Sequence, residues 1–449
     1  IIAERGGYKH STRPISISNA TRYVSNPRDV AIVLNTPFSL IRTSGKKTLE
    51  RYEFFDEGQL KQLYDPHKVS RPDSAFRKEN VVILILESFS KEYIGSLNGV
   101  LDNGSYKGYT PFLDSLISNS LTFEITLANG KKSIDAMPSI FASLPSLETP
   151  YTISHYANNT INGLPHLLKE KGYYSAFFHG APNGSMGFDS FSRMVGFDDY
   201  FGLNEYPVKS DFDGMWGVWD EPFLQFFAEK IGTFREPFLA SVFTISSHHP
   251  FSVPEQYEGK FPKGPAPILE VVGYTDHSLR KFFRYASQQP WFDNTIFVIT
   301  ADHTNESVRK EYQNNYGSFS IPIIFYKPGS GLKGIRERIA QQIDIMPSLL
   351  TYLNYEGEYI AFGNDLFDDS SESFAFNTAG STYQLFMKDH MLEMIDIRSA
   401  GMYNFKNDPL LENNLVGRLP DLQDELETKL KAIIQTYNAR LIDNDLVVK

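Results

Sequence analysis

Apolar and polar positions along this chain alternate between two rhythms: short unbroken apolar runs, and longer stretches spaced as on one face of a helix. The most compact run is Val81, Val82, Ile83, Leu84, Ile85 and Leu86, followed at once by Glu87. An apolar run of this length, bounded by polar residues, predicts a strand buried on both faces of a parallel sheet. Glu87 then stands at the carboxyl end of the strand, the edge at which open α/β sheets bind ligands. Phe112, Leu113, Leu116 and Ile117 follow Pro111 at helical spacing, and residues 121–127 alternate like a strand. Between residues 160 and 300 the two rhythms take turns: helices at 164–171, 223–231 and 268–286, strands at 174–178, 238–245 and 295–300. Such alternation predicts a wound α/β sheet with helices on its faces.

Three of these strands end in residues that carry chemistry. One runs into His179-Gly180, one into Ser246-Ser247-His248-His249-Pro250, and one into Ala301-Asp302-His303. A single strand-end histidine reads most simply as a hydrogen-bonded structural residue. Several arriving at one edge with Glu87 predict a site. Asp302 and His303 are adjacent, so in an extended strand they would face opposite ways, and both reach one ion only if the backbone turns there. Two carboxylates and an imidazole form a hard-to-borderline donor set suited to manganese, magnesium or zinc.

A glycine turn, Ala128-Asn129-Gly130-Lys131-Lys132, opens the apolar helical stretch that begins at Ser133. The plain expectation for Ser133 is an N-cap. The same geometry also suits a nucleophile, because unpaired N–H groups and the helix dipole stabilise an alkoxide and the phosphoryl group it accepts. A divalent ion at this edge would lower the hydroxyl pKa and neutralise phosphoryl charge. Lys131 and Lys132 are candidate phosphate contacts beside Ser133, and Trp216 is a candidate pocket wall. Trp219, Asp220 and Glu221 are expected to line that wall and start a helix. Asp276 and His277 fall inside the long helix, where a helix-face role is expected.

The two ends of the chain differ from this middle. Residues 1–80 contain many breakers, among them Arg13-Pro14, Asn26-Pro27 and Thr36-Pro37, with apolar content at 28–40 and a short helix expected within 52–63. They read as an arm wrapping over the main domain, or as a linker from a membrane segment. The first residues are Ile1-Ile2-Ala3-Glu4, which read as a processed or truncated form; a preceding segment would carry a signal or membrane spans. From about 356 onward, residues 373–379, 383–388 and 390–397 alternate as antiparallel strands, and 403–415 read as a loop crossing back. A final helix opens at Pro420, with Leu422, Leu426, Leu430, Ile433, Ile434, Tyr437 and Leu441 on one stripe. The expected division is therefore an arm at 1–80, a catalytic domain at 81–355 and a small subdomain at 356–449.

Composition narrows the chemistry. With 449 residues and 41% hydrophobic content the chain can bury a large core. A net charge of −11 argues against nucleic acid as a partner, so a phosphate substrate needs a local cation. The absence of cysteine excludes disulfides, thiolate metal sites and cysteine nucleophiles.

The segments LILES, GKKSIDAMPSI, FFHG, WGVWDEPF, TISSHHPF, ITADHT, SIPIIFY, QIDIMPSLL and MYNFKNDPLLENNL, in this order and spacing, resemble the lipoteichoic acid synthase-like branch of the sulfatase and alkaline phosphatase superfamily. The resemblance implies an alkaline phosphatase-like, mostly parallel α/β sheet flanked by helices, with a small carboxyl-terminal α+β subdomain. It implies one divalent metal, manganese first with magnesium or zinc as alternatives, held by Glu87, Ser133, Asp302 and His303. Ser133 would also be the nucleophile, where the synthases carry threonine, and His248 and His179 would contact the substrate phosphate. The implied activity is transfer of a phosphoglycerol- or phosphoethanolamine-type group from a lipid donor to an envelope glycan or lipid acceptor. It implies an extracytoplasmic site anchored at the inner membrane through a preceding segment. A phosphodiesterase or sulfatase-like hydrolase, or a silent envelope-binding domain, are the alternatives. Two departures stand out. The stretch Asn183-Gly184-Ser185-Met186-Gly187-Phe188 lacks the Trp and Arg that hold phosphoglycerol in the synthases. The nearest match to a formylglycine motif, Ser143-Leu144-Pro145-Ser146-Leu147, has leucine where sulfatases need arginine.

Overall fold

A computed structural model describes residues 48–448, together with 30–34 and 36–37. Of the expected apolar segment at 28–40, residues 28–29, 35 and 38–40 lie outside the described residues. The strands are β1 (His67–Ser70), β2 (Asn80–Leu86), β3 (Leu121–Leu127), β4 (Tyr174–His179), β5 (Asp199–Phe201), β6 (Phe238–Phe243), β7 (Thr295–Ala301), β8 (Ile323–Tyr326), β9 (Gly334–Gln341), β10 (Gly357–Ile360), β11 (Phe374–Ala379), β12 (Thr382–Met387), β13 (His390–Ile395) and β14 (Arg398–Asn404). Eight of them form one sheet in the order β5-β4-β6-β2-β7-β8-β3-β9.

The apolar run predicted at 81–86 is the middle of this sheet. All seven residues of β2 are buried, and β2 pairs in parallel with β6 on one side and β7 on the other. Burying each Val, Leu or Ile of the run stabilises the sheet by about 1.5–3 kcal/mol, which pins β2 in register and fixes where Glu87 emerges. β4 is parallel to β6, so β2, β4, β6 and β7 all end at the same edge. β8 runs antiparallel to β7, and β3 pairs in parallel with β9, which makes the sheet mixed but mostly parallel.

Helices α1 (Glu57–Leu63), α2 (Pro111–Ile117), α3 (Ser133–Ala142), α4 (Leu164–Lys169), α5 (Phe188–Val195), α6 (Asp220–Ile231), α7 (Ile268–Ala286), α8 (Ile345–Tyr352) and α9 (Pro420–Ile442) flank the sheets. The longest sheet-covering helix predicted from spacing, 268–286, matches α7 in full. Beyond α8, β11 to β14 form a separate four-stranded antiparallel sheet in sequence order. Its fourth strand lies mostly between the strand read at 390–397 and the loop read at 403–415, with only its last two residues in that loop. Gly401 and a register shift at Glu393/Met394 break the apolar alternation of β14, which hides it from a period-two reading.

Residues 48–66 run along α9. Arg51 donates to Asp443 at 3.1 Å, and the Phe54 and Phe55 N–H groups donate to Gln435 Oε1 at 2.8 and 3.0 Å. Lys429 Nζ caps the Leu63 carbonyl at 2.8 Å. Among the described residues no helix is long and apolar enough to cross a membrane.

Candidate active site

Glu87 follows directly from β2 and is 2% exposed. Its N–H donates to Thr244 Oγ1 at 2.9 Å, and Ser88 Oγ donates to its Oε1 at 2.7 Å. Ser88 has φ 56°, a left-handed conformation that costs a non-glycine residue energy and turns the chain sharply away from the strand. That turn presents the Ser88 N–H to Asp302 Oδ1 at 2.7 Å.

The backbone bend that Asp302 and His303 require is present. β7 stops at Ala301, and Asp302 Oδ1 accepts the N–H of His303 at 2.7 Å as well as that of Ser88. The bend turns both side chains to one point: His303 Nε2 lies 3.1 Å from Asp302 Oδ2 and 4.0 Å from Glu87 Oε1. One donor atom from each of Glu87, Asp302 and His303 falls within 4.8 Å of the others. Gln342, buried just after β9, ties down the bend from behind. Its Nε2 donates to the carbonyls of Ala301 and Asp302, both at 2.8 Å.

The chemistry of this cluster calls for a cation. Asp302 is fully buried, and its Oδ2 has no hydrogen-bond partner. Burial, with the Glu87 carboxylate second, pushes the Asp302 carboxyl well above its usual range. Two carboxylates placed side by side out of water are stable as ions only with a positive charge between them. His303 is set up to receive one. Its Nδ1 lies 2.8 Å from the Thr304 carbonyl; a carbonyl only accepts, so Nδ1 carries the proton and the Nε2 lone pair faces the carboxylates. The donors present fit a divalent metal of hard or borderline type.

Ser133 is the first residue of α3 and is 7% exposed. The N-cap is Lys132, without a side-chain capping bond, so Ser133 does not take the plain capping role. Its hydroxyl turns instead to the cluster, 3.3 Å from Glu87 Oε2 and 3.4 Å from His303 Nε2. The turn before it is fixed by Asn129, whose N–H donates to Gln342 Oε1 at 2.9 Å and whose Nδ2 donates to Gln341 Oε1 at 2.9 Å. Gln342 thus links the turn before Ser133 to the bend that carries Asp302.

His179 closes β4 and is fully buried, with Nδ1 3.2 Å from the Phe243 carbonyl. Burial lowers its pKa to about 4, so it is neutral at pH 7, with the proton on Nδ1 and an unpartnered Nε2. His248 is half-buried and packs on Trp216 with ring centroids 3.9 Å apart. Trp216 is anchored by its Nε1–H to the His249 carbonyl at 2.6 Å. The chain that carries His248 hangs on Asp220, at the start of α6. Asp220 Oδ1 accepts the N–H groups of Ile245 and Ser246 at 2.8 and 3.1 Å, and Thr275 Oγ1 donates to Oδ2 at 3.0 Å.

The two lysines beside Ser133 part ways. Lys132 is exposed, while the Lys131 ammonium turns back to Thr304 Oγ1 at 3.1 Å and to the Ser318 carbonyl. Asp276 takes a helix-capping role: its two oxygens accept the N–H groups of Phe112 and Leu113, both at 2.9 Å, at the start of α2. Ser143 stands at the opposite end of α3 from Ser133, about 15 Å away along a ten-residue helix. Its hydroxyl donates to the Ile343 carbonyl at 2.5 Å, so the serine of the formylglycine look-alike is a buried cap remote from the cluster. Ser88, Thr304 and Gln342 escaped the sequence reading, since single polar residues next to strand ends carry no periodic signal. Asp220 was read as part of the pocket wall and a helix start, without its role as acceptor for the Ile245 and Ser246 N–H groups.

The sulfatase family model matches residues 79–355. The chain belongs to the sulfatase family. This member is 26% identical over 373 residues to lipoteichoic acid synthase 1 of Bacillus subtilis, covering 76% of this chain and 57% of that protein. It is 24% identical over 326 residues to phosphoglycerol transferase I of Salmonella choleraesuis, covering 67% of this chain and 40% of that protein. The chain thus spans about half the length of the curated relatives it matches. In fold it is similar to a protein of the alkaline phosphatase superfamily from Vibrio parahaemolyticus, with TM-score 0.74 and 22% identity over 93% of this chain and 98% of that one. The crystal structure of a lipoteichoic acid synthase from Listeria monocytogenes aligns with TM-score 0.71 and 22% identity, over 87% of this chain and 99% of that one. These neighbours share the sulfatase and alkaline phosphatase architecture of the large sheet.

Proposed function

We propose that this chain is the catalytic part of a metal-dependent phosphotransferase that works through a phosphoseryl intermediate. It would move a phosphoglycerol- or phosphoethanolamine-type group from a phospholipid to an envelope glycan or lipid. The observation that carries the reading is the Ser133 hydroxyl, held at the amino end of α3 at 3.3 Å from Glu87 Oε2 and 3.4 Å from His303 Nε2. The curated relatives named as lipoteichoic acid synthases and phosphoglycerol transferases support the reaction class.

Glu87, Asp302, His303 and Ser133 would hold one divalent ion, manganese first, with magnesium or zinc as alternatives. When bound, such an ion supplies Lewis acidity, lowering the hydroxyl pKa and neutralising charge on a transferring phosphoryl group. The residues do the rest. Ser133 Oγ attacks phosphorus in line, forming the Oγ–P bond as the bond to the lipid alcohol breaks. The Ser133 proton is directed at Glu87 Oε2, and the first N–H groups of α3 face the phosphoryl oxygens. His248 has Nδ1 held 3.2 Å from the His249 carbonyl; as an imidazolium, protonated at both nitrogens, it would pass the Nε2 proton to the leaving alcohol. His179, neutral in its buried place, accepts a hydrogen bond at Nε2 and suits a hydroxyl or amine of the head group. Trp216 closes the side of the pocket next to His248, and Lys132 is the lysine open to an arriving phosphate. An acceptor hydroxyl then gives its proton to His248 Nε2 and attacks phosphorus, the Oγ–P bond breaks, and Ser133 Oγ takes its proton back from Glu87.

We place the site outside the cytoplasm, anchored to the inner membrane by a segment preceding this chain. A phosphodiesterase is the second reading, favoured by the lack of Trp and Arg at 183–188. It releases phosphoryl product into water with no acceptor. Ser133→Ala tests the main reading: turnover of a phosphodiester falls to background while manganese still binds weakly, and unchanged turnover overturns it.

A further inference from the structure

Lys131 lies two residues before Ser133 on an exposed turn, yet its side chain runs back into the fold. Its ammonium donates to Thr304 Oγ1 at 3.1 Å and to the Ser318 carbonyl, and it lies 4.8 Å from the centre of the Phe319 ring. Thr304 Oγ1 itself donates to the Ser318 carbonyl. The Thr304 carbonyl holds His303 Nδ1 at 2.8 Å. A continuous path therefore runs from the Ser133 turn through Lys131 and Thr304 to the imidazole that faces the carboxylates.

We propose that Lys131 is a positioning residue that clamps the His303 loop to the Ser133 turn and so fixes the divalent-cation site, with no direct part in binding the substrate phosphate. The inference rests on the metal-dependent reading above and concerns the same site. A lysine ammonium has three donors. Two are committed to Thr304 and Ser318, and the Phe319 face covers the cation in the manner of a cation–π contact. Two of its three donors are thus turned to the protein rather than to an arriving phosphate. One side chain reaches both the neighbour of His303 and the segment behind it, so a shift of either segment relative to Ser133 breaks a bond to Lys131. Groups that orient a metal-binding imidazole typically change metal affinity ten- to a hundred-fold when removed.

The test is calorimetric titration of manganese into the chelator-treated chain, comparing wild type, Lys131→Met, Thr304→Val, the double variant and Thr304→Ser. Lys131→Met keeps the stem length and the contact with Phe319. The expected result is manganese binding weakened about ten-fold or more in each of the first two variants. The double variant is then no worse than the weaker single, because both act along one path. Thr304→Ser, which keeps the hydroxyl, retains the wild-type affinity. If Lys131→Met does not fold, the Thr304→Val and Thr304→Ser pair carries the test alone. The inference is overturned if Lys131→Met binds manganese as wild type does while its KM for bis(4-nitrophenyl) phosphate rises, the signature of a direct phosphate contact. Failure of wild type to take up manganese, magnesium or zinc overturns the metal-dependent reading itself, an outcome separate from the first.

Discussion

Replacing Gln342 by leucine probes whether the bend at Asp302 is built by the surrounding polar network or would form on its own. The side chain is 0% exposed and makes three hydrogen bonds, two through Nε2 at 2.8 Å to the Ala301 and Asp302 carbonyls and one at 2.9 Å from the Asn129 N–H. Leucine has nearly the same volume, so little packing is lost and the change reports on polarity. Each bond contributes about 1 kcal/mol net, and each buried group left without a partner costs about 1–3 kcal/mol. Three backbone groups lose a partner, so the expected loss is about 3–9 kcal/mol, a large part of the 5–15 kcal/mol that typically separates folded from unfolded chains. Urea unfolding of the chelator-treated protein measures it as a lower midpoint with little change in slope. Manganese affinity should fall with it by about ten-fold, because the bend aims both Asp302 and His303. A loss below about 1 kcal/mol together with unchanged metal affinity would refute the idea that Gln342 supports the bend.

Three further outcomes follow from the same geometry. Asp276→Ala removes the acceptor for the first N–H groups of α2 and should cost about 1–2 kcal/mol of stability with turnover unchanged; loss of bound metal in this variant would contradict its capping role. His179 has its pKa lowered to about 4 by burial, so the unfolded chain takes up its proton first as pH falls. Its contribution is complete above about pH 6.5 and is lost toward pH 4, a change of about 3 kcal/mol; His179→Gln should flatten the acid limb of a stability–pH curve in that window, and an identical limb in both proteins argues against a buried neutral imidazole. Chelation should lower thermal stability, and manganese at about a hundred times its dissociation constant should restore about 2.7 kcal/mol; indifference of the melting temperature to added metal would mean that Glu87 and Asp302 need no cation.

Much of this arrangement was readable from the residues, because the signals that matter are periodic or positional. The unbroken apolar run at 81–86 marks a strand buried on both faces, and parallel pairing then carries Glu87, His179 and Asp302 to one edge without further information. The helix at 268–286 was found by its stripe of apolar positions. What stayed hidden has no period. β14 is interrupted by Gly401 and an irregular register, so its alternation fails locally. Gln342 and Thr304 work through bonds to segments far away in sequence, Gln342 to Asn129 at a separation of 213 residues and Thr304 to Lys131 at 173. Ser133 shows the limit from the other side. Its position at a helix start was legible, but whether its hydroxyl caps that helix or faces the carboxylates depends on the turn at Asn129 and on Glu87, which only the fold brings together.

The central claim is that Ser133 carries the phosphoryl group between donor and acceptor. Mass spectrometry of the manganese-loaded chain, quenched in acid during turnover of a phospholipid donor with no acceptor present, tests it most directly. The account predicts a phosphorylated head group covalently attached to the peptide containing Ser133, absent from Ser133→Ala and discharged when an acceptor is added. Sustained donor cleavage with Ser133 unmodified throughout, or cleavage retained by Ser133→Ala, would contradict it.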